Sequence, residues 1–175
     1  MQPGDVFLFG DECGIQFVPT RVRMWALKGQ TPEILSPGGR EKQSVIGAVE
    51  PATGVVTSMF IPTLTAIAFL AFIRFVLRRY CHARKIYLVV DNARSHHAKI
   101  LKPFLKLVAW KLELIFLPAY SPDLNPAEDL WKLLREKCTY NTYYEYFSDK
   151  LAVVRNFLEA CKIPSAEVRS RCNYK

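Results

Sequence analysis

Three stretches of this chain set an acid where the neighbouring residues call for burial or rigidity. Asp11 follows Val6-Phe7-Leu8-Phe9-Gly10, and Asp91 follows Ile86-Tyr87-Leu88-Val89-Val90. Glu128 and Asp129 follow the proline-rich run LPAYSPDLNPA and lead into Trp131 and a leucine-rich stretch. A carboxylate at the end of an apolar strand is desolvated unless a cation or hydrogen-bond donors compensate it. Three carboxylates brought together would repel one another, and a hard cation such as Mg²⁺ or Mn²⁺ is the natural counter-charge. Two such ions about 4 Å apart can stabilise both the attacking and the leaving oxygen of a phosphoryl displacement.

Each acid also has a plainer role available. Gly10 and Asn92 supply turn chemistry next to Asp11 and Asp91. Asn125 is a favoured N-cap, Pro126 suits the first helical position, and Glu128 falls where a capping-box glutamate sits. Both Glu128 and Asp129 suit the positive end of a helix dipole. A helical wheel gathers Leu130, Trp131, Leu133, Leu134 and Cys138 on one apolar face and puts both acids opposite, so periodicity does not choose between them.

The elements that must position these acids can be read in order. VFLFGDE (6 to 12) is a buried strand, and SVIGAVEPATGVVTSMFI (44 to 61) is a hairpin around Pro51 to Gly54. A helix runs from Thr65 to about Cys81, with Arg78 and Arg79 in its last turn. A strand over 85 to 90 ends at Asp91. The stretch 95 to 108 is helical, with Pro103 expected to kink or interrupt it. Another strand covers 112 to 118, a helix 125 to 140, and a last helix roughly Ser148 to Cys161. This order predicts a mixed α/β sheet flanked by helices. The segment from 21 to 43 is basic, rich in Gly and Pro, and predicted to hold at most a short strand near Met24 to Leu27. So long an irregular stretch in a compact domain points to function or mobility.

The chain has 175 residues, half of them hydrophobic and 23% charged, which suits one globular domain with its own core. Its net charge of +8 favours a polyanionic partner. Five scattered cysteines without a CxxC pair argue against a zinc site or a disulfide framework. The most apolar run, LTAIAFLAFIRFVL, is interrupted by Arg74 and too short to span a bilayer.

GDEC (10 to 13), VVDNARSHHA (89 to 98) and LPAYSPDLNPAEDLW (117 to 131) resemble the three signature blocks of the DDE transposases of the IS630/Tc1-mariner superfamily, and occur in that family's order. MWALKGQTP (24 to 32) and SVIGAVEPATG (44 to 54) resemble its β-hairpin region, on the bacterial IS630 side. Asp91 and Glu128 are separated by 36 residues, close to the short spacing of the group. The resemblance implies an RNase H-like α/β fold, with residues 1–175 as a single catalytic domain. It implies an enzyme that cleaves and joins DNA strands, with Asp11, Asp91 and Glu128 as catalytic acids and ligands of two Mg²⁺ or Mn²⁺ ions. Asn92 and His96 match the DNxxxH pattern and are assigned to support the acids or lie near DNA. His97 and His82 read as surface histidines.

Given the acids, Arg21, Arg23, Lys28, Arg40 and Lys42 are assigned to DNA phosphates. Trp25 could pack beneath the hairpin or stack on a base, and the packing is favoured. The implied partners are double-stranded DNA at transposon ends and target, a separate helix-turn-helix segment absent from this chain, and further copies in a homo-oligomer. No membrane role is expected. The bacterial character of the resemblance and the unpaired cysteines imply a cytoplasmic, nucleoid-associated protein of a bacterium or archaeon. Two other readings stay open: a nuclease of the same fold acting on another nucleic acid, and a non-catalytic DNA-binding remnant.

Overall fold

Alternation along the first strand organises the molecule. In the computed structural model, which describes residues 2–118 and 122–173, β1 spans Asp5–Gln16. Val6 and Leu8 point to one face of the sheet, whereas Phe7, Phe9, Cys13 and Ile15 point to the other. Successive strand residues face opposite sides, so a core forms on each. One core lies under α1 (Ala66–Arg79) and α2 (Leu101–Val108). The second lies under α3 (Pro126–Cys138), α4 (Phe147–Ala160) and α5 (Ala166–Arg171). Asp11 shares the parity of Phe7 and Phe9, which gives it to the α3 side.

The other strands are β2 (Lys42–Glu50), β3 (Val55–Ile61), β4 (Lys85–Val90) and β5 (Leu112–Phe116), in the order β3-β2-β1-β4-β5. β1, β2 and β3 form an antiparallel meander, while β4 and β5 run parallel to β1. The expected mixed sheet with helices on both faces is what forms. The turn into β3 is fixed by Gly54 at φ +73°, where a Cβ would come within 2.2 Å of Ser165 O. Ser165 N–H donates to Thr53 O at 3.1 Å, so α5 docks on this turn.

Several expectations are corrected or refined. The helical stretch 95 to 108 is interrupted as expected, but ahead of Pro103: α2 starts only at Leu101, so Pro103 falls in its first turn, where its missing N–H has no intrahelical partner to lose. Residues 94 to 97 form a separate 3₁₀ turn. The segment expected to hold at most a short strand near Met24 to Leu27 holds none there among the described residues; ahead of it an isolated bridge joins Thr20 to Tyr140. Trp25 does not pack beneath the hairpin; it is fully exposed, with Leu27 beside it at 73%. Helix α5 lies beyond the last helix that the sequence suggested.

Cys13, Cys138, Cys161 and Cys172 are buried free thiols, and burial pushes each up to about 11 or 12. Among the described residues no helix is long and apolar enough to cross a membrane.

Candidate active site

Strand register brings the first two acids together. β1 and β4 pair in parallel up to Phe9 and Val89. Two residues further on each chain stand Asp11 and Asp91, where β4 has ended and β1 continues against β2 alone. Asp11 faces inward and is mostly buried, and its carboxyl is pushed up to about 6. Desolvation is the largest cause, and the charges of Asp91 and Glu128 add to it. A hydrogen bond from the Glu12 backbone pulls the other way, as does the indole of Trp131. The Trp131 Nε1–H is nevertheless buried without an acceptor in full hydrogen-bond geometry.

Asp91 is more exposed and is held by its own turn. Its Oδ1 accepts from Ala93 N–H at 3.1 Å and lies 3.0 Å from His96 Nδ1. His96 is buried, its ring 4.1 Å from that of Phe69 of α1, and its Nδ1 is also 3.1 Å from Asp91 O. It therefore backs Asp91 from beneath. Asn92 spans the ends of β4 and β5, with Nδ2 donating to Leu117 O at 2.5 Å. Its Oδ1 lies 3.2 Å from His97 Nε2, and the His97 ring stacks on Phe116 at 4.3 Å. His97 is thus an exposed histidine with a bracing role that sequence reading missed.

Glu128 rides on the first turn of α3. Asn125 caps the helix by accepting from Ala127 N–H at 3.2 Å, and its Nδ2 also donates to Gly10 O at 3.3 Å. This buried asparagine fastens the Glu128 helix to the residue before Asp11. Sequence reading saw only the cap. Among the described residues no bond joins the Glu128 side chain to the Asn125 N–H, so Glu128 does not close a capping box. The leucines, Cys138 and Trp131 of the predicted apolar face are all buried. Residues 119 to 121 of the proline-rich block lie outside the described residues.

Three hard carboxylates under mutual repulsion are donors of the type that a divalent cation takes. As placed, they do not close a cage: no three His, Cys, Asp or Glu among the described residues are grouped to hold one ion. Asp91 Oδ1 is turned to Ala93 and His96 instead. Arg21, Arg23, Lys28, Arg40 and Lys42 are all exposed, and none forms a salt bridge among the described residues. The first four lie along the segment between β1 and β2, and Lys42 opens β2.

Comparison with known proteins gives a consistent picture. The family model described as DDE superfamily endonuclease matches residues 6–149. An insertion element IS630 uncharacterized 39 kDa protein of Shigella sonnei is 30% identical over 151 residues, covering 86% of this chain and 44% of that protein. Among solved structures, the Mos1 transposase paired-end complex with left transposon end superposes with a TM-score of 0.69 at 21% identity. That match covers 95% of this chain and 50% of the other. The Mos1 mariner paired-end complex with Mn gives 0.67 at 22% identity, covering 95% and 51%. The shared fold is RNase H-like, and this chain spans about half the length of these relatives or less.

Proposed function

This chain belongs to the DDE superfamily endonucleases, and on that premise we propose that it is the catalytic part of a transposase, cutting and joining DNA strands with divalent metal ions. The observation that best supports this is the state of Asp11. Its carboxylate is partly buried and raised in pKa by desolvation and by the charges of Asp91 at the end of β4 and Glu128 on α3. A structural carboxylate would be paired with a cationic side chain, whereas this one faces two more anions.

Asp11, Asp91 and Glu128 would hold the metal. Mg²⁺ or Mn²⁺ there would polarise the phosphoryl group and stabilise the attacking and leaving oxygens; the related Mos1 complexes contain Mn and Mg. The chain's own contribution is geometry. His96 and the Ala93 N–H hold Asp91, and Asn125 keeps α3 in register with β1. Water attacks a backbone phosphorus and releases a 3′-hydroxyl, which then attacks a target phosphorus and displaces its 3′-oxygen. Arg21, Arg23, Lys28, Arg40 and Lys42 would hold phosphates during both steps. Residues 1–175 act in this reading as one catalytic domain, in a homo-oligomer on bacterial DNA. Recognition of the end sequence is assigned to a helix-turn-helix segment outside it.

The test is cleavage of a labelled duplex by purified protein. Activity is expected with Mg²⁺ or Mn²⁺ and absent in EDTA, and Asp91→Ala should lose it by orders of magnitude while staying folded. Cleavage that persists in EDTA overturns the proposal.

A further inference from the structure

The segment from 18 to 41 is irregular, yet its first leg is tied at alternate residues, Val18, Thr20 and Val22. At its base Phe17 N–H donates to Glu41 O at 2.9 Å, so both legs leave the sheet together. The first leg then runs along the connection between α3 and α4. Thr20 N–H donates to Thr139 O at 3.3 Å, and Asn141 N–H donates to Thr20 O at 3.0 Å. The Asn141 carboxamide closes on both polar groups of Val22: Oδ1 accepts from the N–H at 2.9 Å, and Nδ2 donates to the carbonyl at 3.1 Å. On the inner side Lys150, only 1% exposed, donates to Phe17 O and Val18 O at 3.1 Å each. Beyond Met24 the ties stop, and residues 25 to 33 are all exposed.

Two of these residues are costly choices for packing alone. A buried ammonium loses its hydration, and an apolar side chain of similar volume would fill the space more cheaply. Asn141 sits at φ +52°, a region that glycine adopts most readily and asparagine tolerates. If backbone shape were the only demand, glycine would serve. What both positions supply is a hydrogen-bonding head, and both heads are spent on the same leg.

We propose that Asn141 and Lys150 are positioning residues for DNA binding, aiming the basic segment 18–41 from the end of the helix that carries Glu128. The inference rests on reading that segment as a phosphate contact. Asn141 follows Cys138, the last residue of α3, by three positions. The direction of the segment and the placement of Glu128 are therefore referred to one rigid element.

Asn141→Gly separates this role from a structural one. It keeps the left-handed backbone without strain and removes the carboxamide's bonds to Val22 and its weaker contact with Met24 Sδ, so the melting temperature should hold. Trypsin cleavage after Arg21 or Arg23 should nevertheless quicken by about an order of magnitude, as expected for a segment whose local opening has become easier. Affinity for a short duplex of arbitrary sequence should fall by roughly fivefold to thirtyfold, because ordering the segment is then charged to binding. Asn141→Asp keeps the acceptor for the Val22 N–H and should fall between. Lys150→Met should loosen the same leg, with melting temperature measured alongside. Unchanged trypsin cleavage in Asn141→Gly overturns the inference. So does faster cleavage with unchanged affinity. The double reversal Arg40→Glu/Lys42→Glu tests the underlying reading: if it leaves affinity unchanged, the DNA reading falls and the inference with it. If it weakens binding and Asn141→Gly does not, the inference alone falls.

Discussion

Asp11 is an acid that the fold keeps at a cost. Its carboxyl is pushed up to about 6 from the ordinary 3.8, by burial first and then by Asp91 and Glu128. The folded chain thus binds more protons than the unfolded chain between about pH 4 and pH 6. Metal-free stability should fall as pH rises through that window, leaving a deficit on the order of 2–3 kcal/mol at neutral pH. Asp11→Asn should therefore stabilise the protein in EDTA at pH 7.5, with the gain vanishing near pH 3.5; urea denaturation at both pH values measures it. Adding Mg²⁺ should stabilise the wild type and leave Asp11→Asn little changed. The neighbouring acids on α3 separate in the same way. Glu128→Gln should abolish cleavage. Asp129, which pairs with Lys132 at 3.0 Å on the surface, should tolerate Asn at a cost of about 0.3–1 kcal/mol from the helix dipole. The reverse pattern in a cleavage assay would place the catalytic acid one residue later.

At the scale of elements, the site depends on how α3 lies on the sheet. Gly47 is the cross-strand partner of Asp11, and a Cβ there would come within 2.7 Å of the buried Trp131 ring. Gly47→Ala should cost about 1–3 kcal/mol by overpacking. Because Glu128 rides on the displaced helix, single-turnover cleavage should drop even where the variant remains fully folded. Equal activity in the folded variant would mean that α3 can shift without moving its acid. Local pattern was enough to read β1, the hairpin, α1, β4, β5 and α3, since each carries its own periodicity and its own cap or turn residues. The acids were legible through their apolar approach runs and the signature blocks. The failures share one cause: they depend on contacts distant in sequence. Nothing local to Asn125 announces its bond to Gly10 O, and nothing near Trp25 says that no partner covers it. Met24 to Leu27 has strand-like residues but no neighbouring strand to pair with. Helix α5 is six residues long and exists by docking on the turn at Gly54.

The whole molecule is asymmetric in charge. Residues 51 to 112, which supply α1 and α2, contain ten Lys and Arg and one acid, Asp91. The net excess therefore falls in the part of the chain that supplies β4, α1 and α2, and will draw polyanions over distances set by salt. The sheet has a further consequence that concerns its making. β1 is the middle strand, and its parallel partner begins at Lys85, 80 residues after Asp5. β3 ends at Ile61, so at about 5–20 residues per second synthesis leaves roughly 1–5 s in which β1, β2 and β3 exist and β4 does not. Throughout that interval one edge of β1 is unpaired, with Leu8 and Phe9 on its two faces, and such an edge is a template for another chain. A fragment ending before Lys85 should accordingly assemble into large species on size-exclusion chromatography, where the full chain does not. A soluble, monomeric fragment would show that the meander protects its own open edge.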